Sequence, residues 1–290
     1  MNVGFIGLGV MGQPMAKHLI DAGHALFLSR VKAASQELVG AGGKACSSPK
    51  EVAENSDIVI LMLPDTPDVE DVLFGEDGVV SALRHNALVI DMSSISPVAT
   101  KSFAERIESA GGHYVDAPVS GGEVGAKAGT LTIMVGGQNE NVSRAMPLFQ
   151  IMGKTITHVG GVGDGQTTKV ANQIIVGLNI QAVAEALTFA RASGADPAKV
   201  REALLGGFAD STILKIHGER MINGTFDPGF RLRLHQKDLD LAVSAARELD
   251  LALPNAATVA QLMNAAVGNG DGDKDHSALI EVLERLCGTH

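Results

Sequence analysis

The feature that most constrains this chain lies at its start. "VGFIGLGVMGQPMAKHL" places an apolar strand at 3–7, then Gly7, Gly9 and Gly12 in G-x-G-x-x-G spacing, then a helical pattern. The first glycine permits a tight turn, the second lets backbone approach a pyrophosphate, and the third lets helix and strand pack closely, while N–H groups at the helix start meet the phosphate. Glycine triplets are a weak signal in a chain with 34 glycines, but this one sits directly between a strand and a helix. The loop Gly7, Leu8, Gly9, Val10, Met11 and Gly12 is therefore expected to hold a dinucleotide, the alternative being a purely structural turn.

Behind this loop, short apolar runs at 24–29, 56–63, 87–92, 113–119 and 130–137 alternate with helical periods such as Met11 to Ala22 and Pro97 to Ala110. Such alternation builds βαβ units on a mostly parallel sheet. Ser48 before Pro49 and Ser96 before Pro97 mark helix starts, each a side-chain cap followed by a residue that needs no N–H. After "HVGGVGDG" the strands stop. Helical patterns then occupy 165–193, 197–206, 210–222 and 236–250, with two shorter ones near the end. The expected architecture is an α/β Rossmann-type domain over 1–163 and an all-α domain over 164–290, joined by the long helix, whose apolar face packs between domains or subunits.

Composition narrows the partners. The chain carries 23 basic against 33 acidic residues, a net charge of −10, which argues against nonspecific affinity for nucleic acid or an anionic membrane. Any anionic ligand must be met by a local site. Cys46 and Cys287 supply no disulfide framework, so a reducing cytoplasm is the expected compartment. The start lacks the basic region and cleavage site of a signal peptide. Residues 170–184 carry no charge, but Asn172, Gln173, Asn179 and Gln181 interrupt them, as suits a helix buried in protein rather than lipid. The histidines lack ligand-like i, i+4 spacing, so no metal site is expected, and His235 and His276 read as structural.

In open α/β sheets, ligands bind at the carboxyl ends of the strands. At the second strand end, "FLSRVKAAS" offers Ser29, Arg30 and Lys32 where an acid would hold a ribose 2′-hydroxyl; these groups suit the 2′-phosphate of NADPH, or form a solvated surface turn. "MLPDTPDV" presents Leu63 and Pro64, and "DMSSISP" presents Ser93 and Ser94 near the nicotinamide end of a cofactor. In "DAPVSGGEVG", Ser120, Gly121 and Gly122 form either a backbone nest for a small carboxylate or an ordinary turn. On the long helix, Lys169, Asn172 and Gln173 stand at i, i+3 and i+4 and share one face of the first turns. The helix dipole and apolar surroundings both disfavour the ammonium, lowering the lysine pKa toward the range useful for protonating a developing alkoxide. A lysine that snorkels to solvent is the plain alternative. "DPGFRLRLHQKDLDLA" adds Lys237 and Asp238, which either close over the cofactor or form surface charge.

Taken in order, "GFIGLGVMGQPMA", "DMSSISP", "DAPVSGGEVGAKAGTL", "GDGQTTKVANQ" and "HQKDLDLA" resemble the β-hydroxyacid dehydrogenase family over nearly the whole chain. "GGFADSTILKIHGERMINGTFDPGF" is similar to its tartronate semialdehyde subgroup. The resemblance implies an NAD(P)H-dependent oxidoreductase that reduces tartronate semialdehyde to D-glycerate by reversible hydride transfer, assembled as a dimer or tetramer through its helical part. It implies a catalytic lysine at Lys169, a substrate-binding Ser-Gly-Gly at Ser120, Gly121 and Gly122, a cofactor-contacting hydroxyl at Ser94 and a second cofactor-side lysine at Lys237. The alternatives are a dehydrogenase of 3-hydroxyisobutyrate or another short β-hydroxy acid, and a noncatalytic dinucleotide-binding sensor. Two departures stand out. Many members carry two asparagines after the lysine where this chain has Asn172 and Gln173, so the substrate amide is open, and the second strand end lacks the family's acidic or Asn-Arg form, so cofactor choice does not carry over.

Overall fold

The computed structural model describes residues 1–288 and falls into two compact units, one ending at Lys169 and one beginning at Val170. The first unit holds nine strands, β1 (Asn2–Ile6), β2 (Ala25–Ser29), β3 (Lys44–Ala45), β4 (Ile58–Leu61), β5 (Leu88–Asp91), β6 (His113–Asp116), β7 (Val119–Ser120), β8 (Leu131–Gly136) and β9 (Gly153–Gly160). Their order is β3-β2-β1-β4-β5-β6-β8-β7, with β9 beside β8. The six strands from β3 to β6 run parallel; β8 is antiparallel to β6 and β7 and parallel to β9.

Helices α1 (Gly12–Asp21), α2 (Gln36–Gly40), α3 (Pro49–Asn55), α4 (Thr66–Phe74), α5 (Pro97–Ser109), α6 (Gly122–Ala128) and α7 (Asn139–Met152) cover the sheet. Strands buried on both faces read as continuous apolar runs, as "IVIL" of β4 does. Their side chains are dealt alternately to two cores: Ile58 and Ile60 join Phe5, Met15 and Phe149, while Val59 and Leu61 join Phe103 and Tyr114. Each such burial contributes about 1.5–3 kcal/mol. Ser48 and Ser96 cap α3 and α5 as their sequence signals indicate.

Three strands were not legible. β3 and β7 are two residues each, and β9, "GKTITHVG", is largely exposed, so its alternation carries little apolar signal. The expected strand 113–119 is interrupted at Ala117–Pro118 because proline cannot donate to a ladder, and the chain re-enters the sheet antiparallel at β7.

The long helix α8 (Asp164–Ala192) begins on the first unit and continues into the second, which adds α9 (Pro197–Leu204), α10 (Thr212–Asn223), α11 (Leu232–Glu248), α12 (Pro254–Gly268) and α13 (Leu279–Cys287). By length and composition α8 is apolar enough to cross a membrane, but Ile180, Ala184 and Leu187 are core residues of the helical unit, with Leu214, Leu239, Met263 and Leu279. α11 starts at Leu232 rather than at 236, because Leu232 and His235 belong to the same buried stripe as Leu239, Ala242 and Ala246.

Candidate active site

The strand registers pair Ser29 with Ile6, Ile6 with Leu61, Leu61 with Asp91 and Asp91 with Asp116. The loops singled out in the sequence therefore leave the sheet along one line, at its carboxyl edge. At the centre is the glycine loop. Gly7 has φ +104, and a Cβ there would lie 2.2 Å from the Met62 carbonyl oxygen; one on Gly12 would lie 1.9 Å from that of Gly7. Both positions exclude side chains for the fold's own sake. Gly9 differs: it is exposed and a Cβ on it would meet nothing within 4 Å, so its backbone is open to a ligand. Val10 is 62% exposed beside it, with Leu8 and Met11 half-buried. Helices α3, α4 and α5 are capped by Ser48, Asp65 and Ser96, whereas α1 has no side-chain cap and no acid in its first turn. Its positive end suits a pyrophosphate, and the loop fits a dinucleotide.

Next to it, Ser29 is buried, while Arg30 is exposed with a left-handed φ of 62° and reaches Asp71 at 3.5 Å. On the other side, Leu63 is buried, and its N–H donates to Ser93 Oγ at 2.9 Å. Ser93 donates its own N–H to Asp91 Oδ1 (2.9 Å), and Tyr114 donates its hydroxyl to Asp91 Oδ2 (2.9 Å). Burial, then the Asp91 charge, hold the Tyr114 phenol well above its ordinary range, so it stays a donor. The Ser93 hydroxyl is thus engaged inside the protein and joins two strand-end loops instead of facing a ligand. Ser94 is partly exposed, and Pro64 is exposed. Gly121 and Gly122 have φ 131° and 58°, a pair of conformations that strain any L side chain, and they open α6, whose start also lacks a side-chain cap. Ser120 precedes them, paired with Thr132 across β7 and β8.

Two polar residues that sequence reading passed over hold this edge together. Asp116 Oδ1 accepts from the Gly163 N–H and Oδ2 from the Gln166 N–H, both at 2.8 Å, so a strand-end carboxylate caps α8. Burial raises the Asp116 carboxyl to about 6 against the pull of those two hydrogen bonds. A Cβ on Gly165 would lie 2.5 Å from the Met134 carbonyl oxygen and 2.7 Å from Asp116 Oδ2, and one on Gly136 2.6 Å from both Asp116 Oδ1 and the Gly161 carbonyl oxygen, so neither position admits a side chain beside the carboxylate. Gln166, fully buried, donates from Nε2 to the Ser93 carbonyl (2.7 Å) and accepts at Oε1 from the Ile95 N–H (3.2 Å). Lys169 follows in the second turn of α8, 8% exposed.

In the helical unit, Gln173 Nε2 donates to Asp238 Oδ2 (2.5 Å), and Asn172 Nδ2 donates to Gln173 Oε1 (2.7 Å). Asp238 is 4% exposed and also meets Lys237 Nζ at 3.1 Å, so the reading of this pair as surface charge is corrected. His235, one turn earlier on α11, donates from Nε2 to the Gln173 carbonyl oxygen (3.2 Å). Only the acid at i+3 from a buried histidine on an apolar stripe signalled that Asp238 faces inward.

A parallel sheet whose carboxyl edge carries an open glycine loop, and a buried lysine on a helix anchored to that edge, define a dinucleotide-dependent oxidoreductase. Residues 2–160 match the family described as the NAD binding domain of 6-phosphogluconate dehydrogenase, and residues 163–283 the one described as NAD-binding of NADP-dependent 3-hydroxyisobutyrate dehydrogenase. The chain is 56% identical over 287 residues to 2-hydroxy-3-oxopropionate reductase of Escherichia coli, covering 99% of this chain and 98% of that one. It is 38% identical to 2-(hydroxymethyl)glutarate dehydrogenase of Eubacterium barkeri, covering 99% and 96%. The solved structure of Mycobacterium tuberculosis 3-hydroxyisobutyrate dehydrogenase with L-serine matches with a TM-score of 0.89 at 32% identity, covering 97% and 98%. This chain belongs to the 3-hydroxyisobutyrate dehydrogenase-like family of NAD(P)-dependent oxidoreductases.

Proposed function

We propose that this chain reduces tartronate semialdehyde (2-hydroxy-3-oxopropanoate) to D-glycerate, reversibly, with Lys169 as general acid in reduction and general base in oxidation. The observation that carries the reading is Lys169 itself, 8% exposed on α8, in a chain 56% identical to an enzyme named for this substrate. Bound NAD(P)H supplies the hydride. Gly7, Leu8, Gly9, Val10, Met11 and Gly12 hold its pyrophosphate, Ser29 and Arg30 its adenosine end, and Leu63, Pro64, Ser94 and Lys237 the remainder. The backbone N–H groups of Ser120, Gly121 and Gly122 take the substrate carboxylate. Lys169 then gives its proton to the carbonyl oxygen as alkoxide charge develops. Because Gln173 is held between Asp238 and Asn172, Asn172 is the amide assigned to substrate and Gln173 its support.

Exposed Arg30 at the end of β2, where an acid would favour NADH, supports a preference for NADPH. Ala171, Ile175, Ala182, Ala186 and Phe189 lie exposed along one stripe of α8, with Ile175 at 61% and Phe189 at 73%, which supports assembly of identical subunits through this helix. A reducing cytoplasm remains the compartment that suits two free cysteines. A panel of short aldehydes and hydroxy acids with NADH and NADPH tests the reading. The highest kcat/KM is expected for tartronate semialdehyde with NADPH; preference for 3-hydroxyisobutyrate, or cofactor binding without any turnover, overturns it.

A further inference from the structure

Three imidazoles stand in line within the helical unit. His217 is on α10, His276 in the short turn before α13, and His235 on α11. His217 Nε2 lies 3.2 Å from His276 Nε2, His276 Nδ1 lies 2.9 Å from His235 Nδ1, and His235 Nε2 lies 3.2 Å from the Gln173 carbonyl oxygen. His235 and His276 are 0% and 5% exposed, and at the far end His217 Nδ1 faces Asp275 Oδ1 at 3.3 Å. Sequence spacing, which counted against any histidine cluster, had no access to this arrangement.

The chemistry of the two ends gives the line a direction. A carbonyl oxygen only accepts, so His235 carries a proton on Nε2. In the neutral ring Nδ1 is then an acceptor, so His276 donates from Nδ1, and His276 Nε2 in turn accepts from His217 Nε2–H. Three neutral rings hold three protons, and these three links use all of them. What is left is the bare lone pair of His217 Nδ1 turned toward a carboxylate, and that atom is buried without an aligned hydrogen-bond partner.

The surroundings favour this proton arrangement over a metal ion. Asp275 Oδ2 accepts from the N–H groups of Gly229 (2.9 Å) and Phe230 (3.2 Å) and meets Arg220 of α10 at 3.2 Å, while Oδ1 accepts from Ser277 Oγ at 2.6 Å. A carboxylate so occupied, with a guanidinium against it, is a poor ligand. The groups facing the line are Arg220 and His217 from α10, Asp275 beside His276, the Phe230 ring, and from α11 His235, with Asp238 one turn on. Burial first, then neighbouring His235, hold the His276 imidazole well below its ordinary range, so this ring stays neutral and carries the single proton that the line places on Nδ1. The packing is also fitted to the ring: a Cβ on Gly177 would lie 3.3 Å from His235 Nε2 and 3.1 Å from Leu239.

We propose that this line is a positioning device. His217 and His276 hold His235 as an Nε2–H donor to the Gln173 carbonyl, while Asp238 holds the Gln173 side chain, so that α11 fixes Gln173 by both its backbone and its side chain, and Gln173 in turn holds Asn172. The consequence for turnover rests on the reading of Lys169 and Asn172 given above; the proton arrangement does not.

Nitrogen-15 imidazole NMR of the full chain tests the arrangement directly. The expected states are Nε2–H for His235, the less common Nδ1–H for His276, and Nε2–H for His217. An Nε2–H state at His276, or displacement of the His217 and His276 signals by stoichiometric Zn²⁺, overturns it. Kinetics test the role. His235→Phe is expected to lower kcat about tenfold, the size of one hydrogen bond, with cofactor Kd unchanged, and His235→Gln, which keeps an N–H donor, to recover most of it. Unchanged kcat in His235→Phe, or no recovery in His235→Gln, overturns the positioning role. If the parent turns over none of the panel, the proposed function fails while the NMR states still decide the line.

Discussion

Asp116 accepts the backbone N–H of Gln166 at 2.8 Å, so the strand end that leads into Ser120, Gly121 and Gly122 is bonded directly to the first turn of the helix that carries Lys169. The second oxygen of the same carboxylate takes Gly163. One buried acid thereby sets the distance between the two polar features of this edge.

That acid gives stability a pH dependence of definite sign. Burial raises the Asp116 carboxyl from 3.8 to about 6 in the folded state. The folded chain therefore binds a proton more readily than the unfolded one, and the contribution of this group is full below pH 3.8 and lost as pH rises through about 6. Urea unfolding at pH 4.5 and 7.5 is expected to show the parent losing about 2 kcal/mol relative to Asp116→Asn over that interval. Parallel curves for the two proteins would remove Asp116 as the source.

Gly9 and Gly12 separate folding from ligand binding. Gly9→Ala enters open space, so stability is expected to stay within about 0.5 kcal/mol of the parent while the Kd for NAD(P)H rises about tenfold. Gly12→Ala meets the Gly7 carbonyl and is expected to lose both stability and binding. Calorimetry and fluorescence titration of the cofactor check the pair; intact cofactor binding in Gly9→Ala would mean that nothing closes on that backbone.

Lys169→Ala is expected to lower kcat by about 10²-fold or more, with the Kd for cofactor unchanged. Single-turnover measurement with saturating NADPH separates the chemical step from product release. Near-normal turnover would refute the proton-transfer role.

Arg30→Ala is expected to lower kcat/KM with NADPH about tenfold and to leave the value with NADH unchanged, since a 2′-phosphate is the only group of the pair that needs a cation there. The ratio of the two efficiencies is the measurement, and a ratio equal to the parent's would place the 2′-phosphate elsewhere.

The sequence by itself determined the βαβ order, the glycine loop and the change to helices, because each is written in local periodicity or in residues whose backbone freedom is local: apolar runs of strand length, caps at Ser48 and Ser96, three glycines at fixed spacing. It also placed Ser120, Gly121, Gly122 and Lys169 at a strand end and near a helix start, positions that follow from the same local signals. Only the tertiary structure decided that Ser93 turns inward to Leu63, that Asp116 and Gln166 weld α8 to the sheet edge, and that Asp238 is a buried partner of Gln173. These are pairings between residues 30 to 73 positions apart. A buried polar group must find a partner, but the chain around it does not say which one: an aspartate before a loop reads the same whether it faces water or caps a distant helix. The three histidines make the point most sharply, since nothing near His217, His235 or His276 in sequence distinguishes a solvated ring from a link in a buried line.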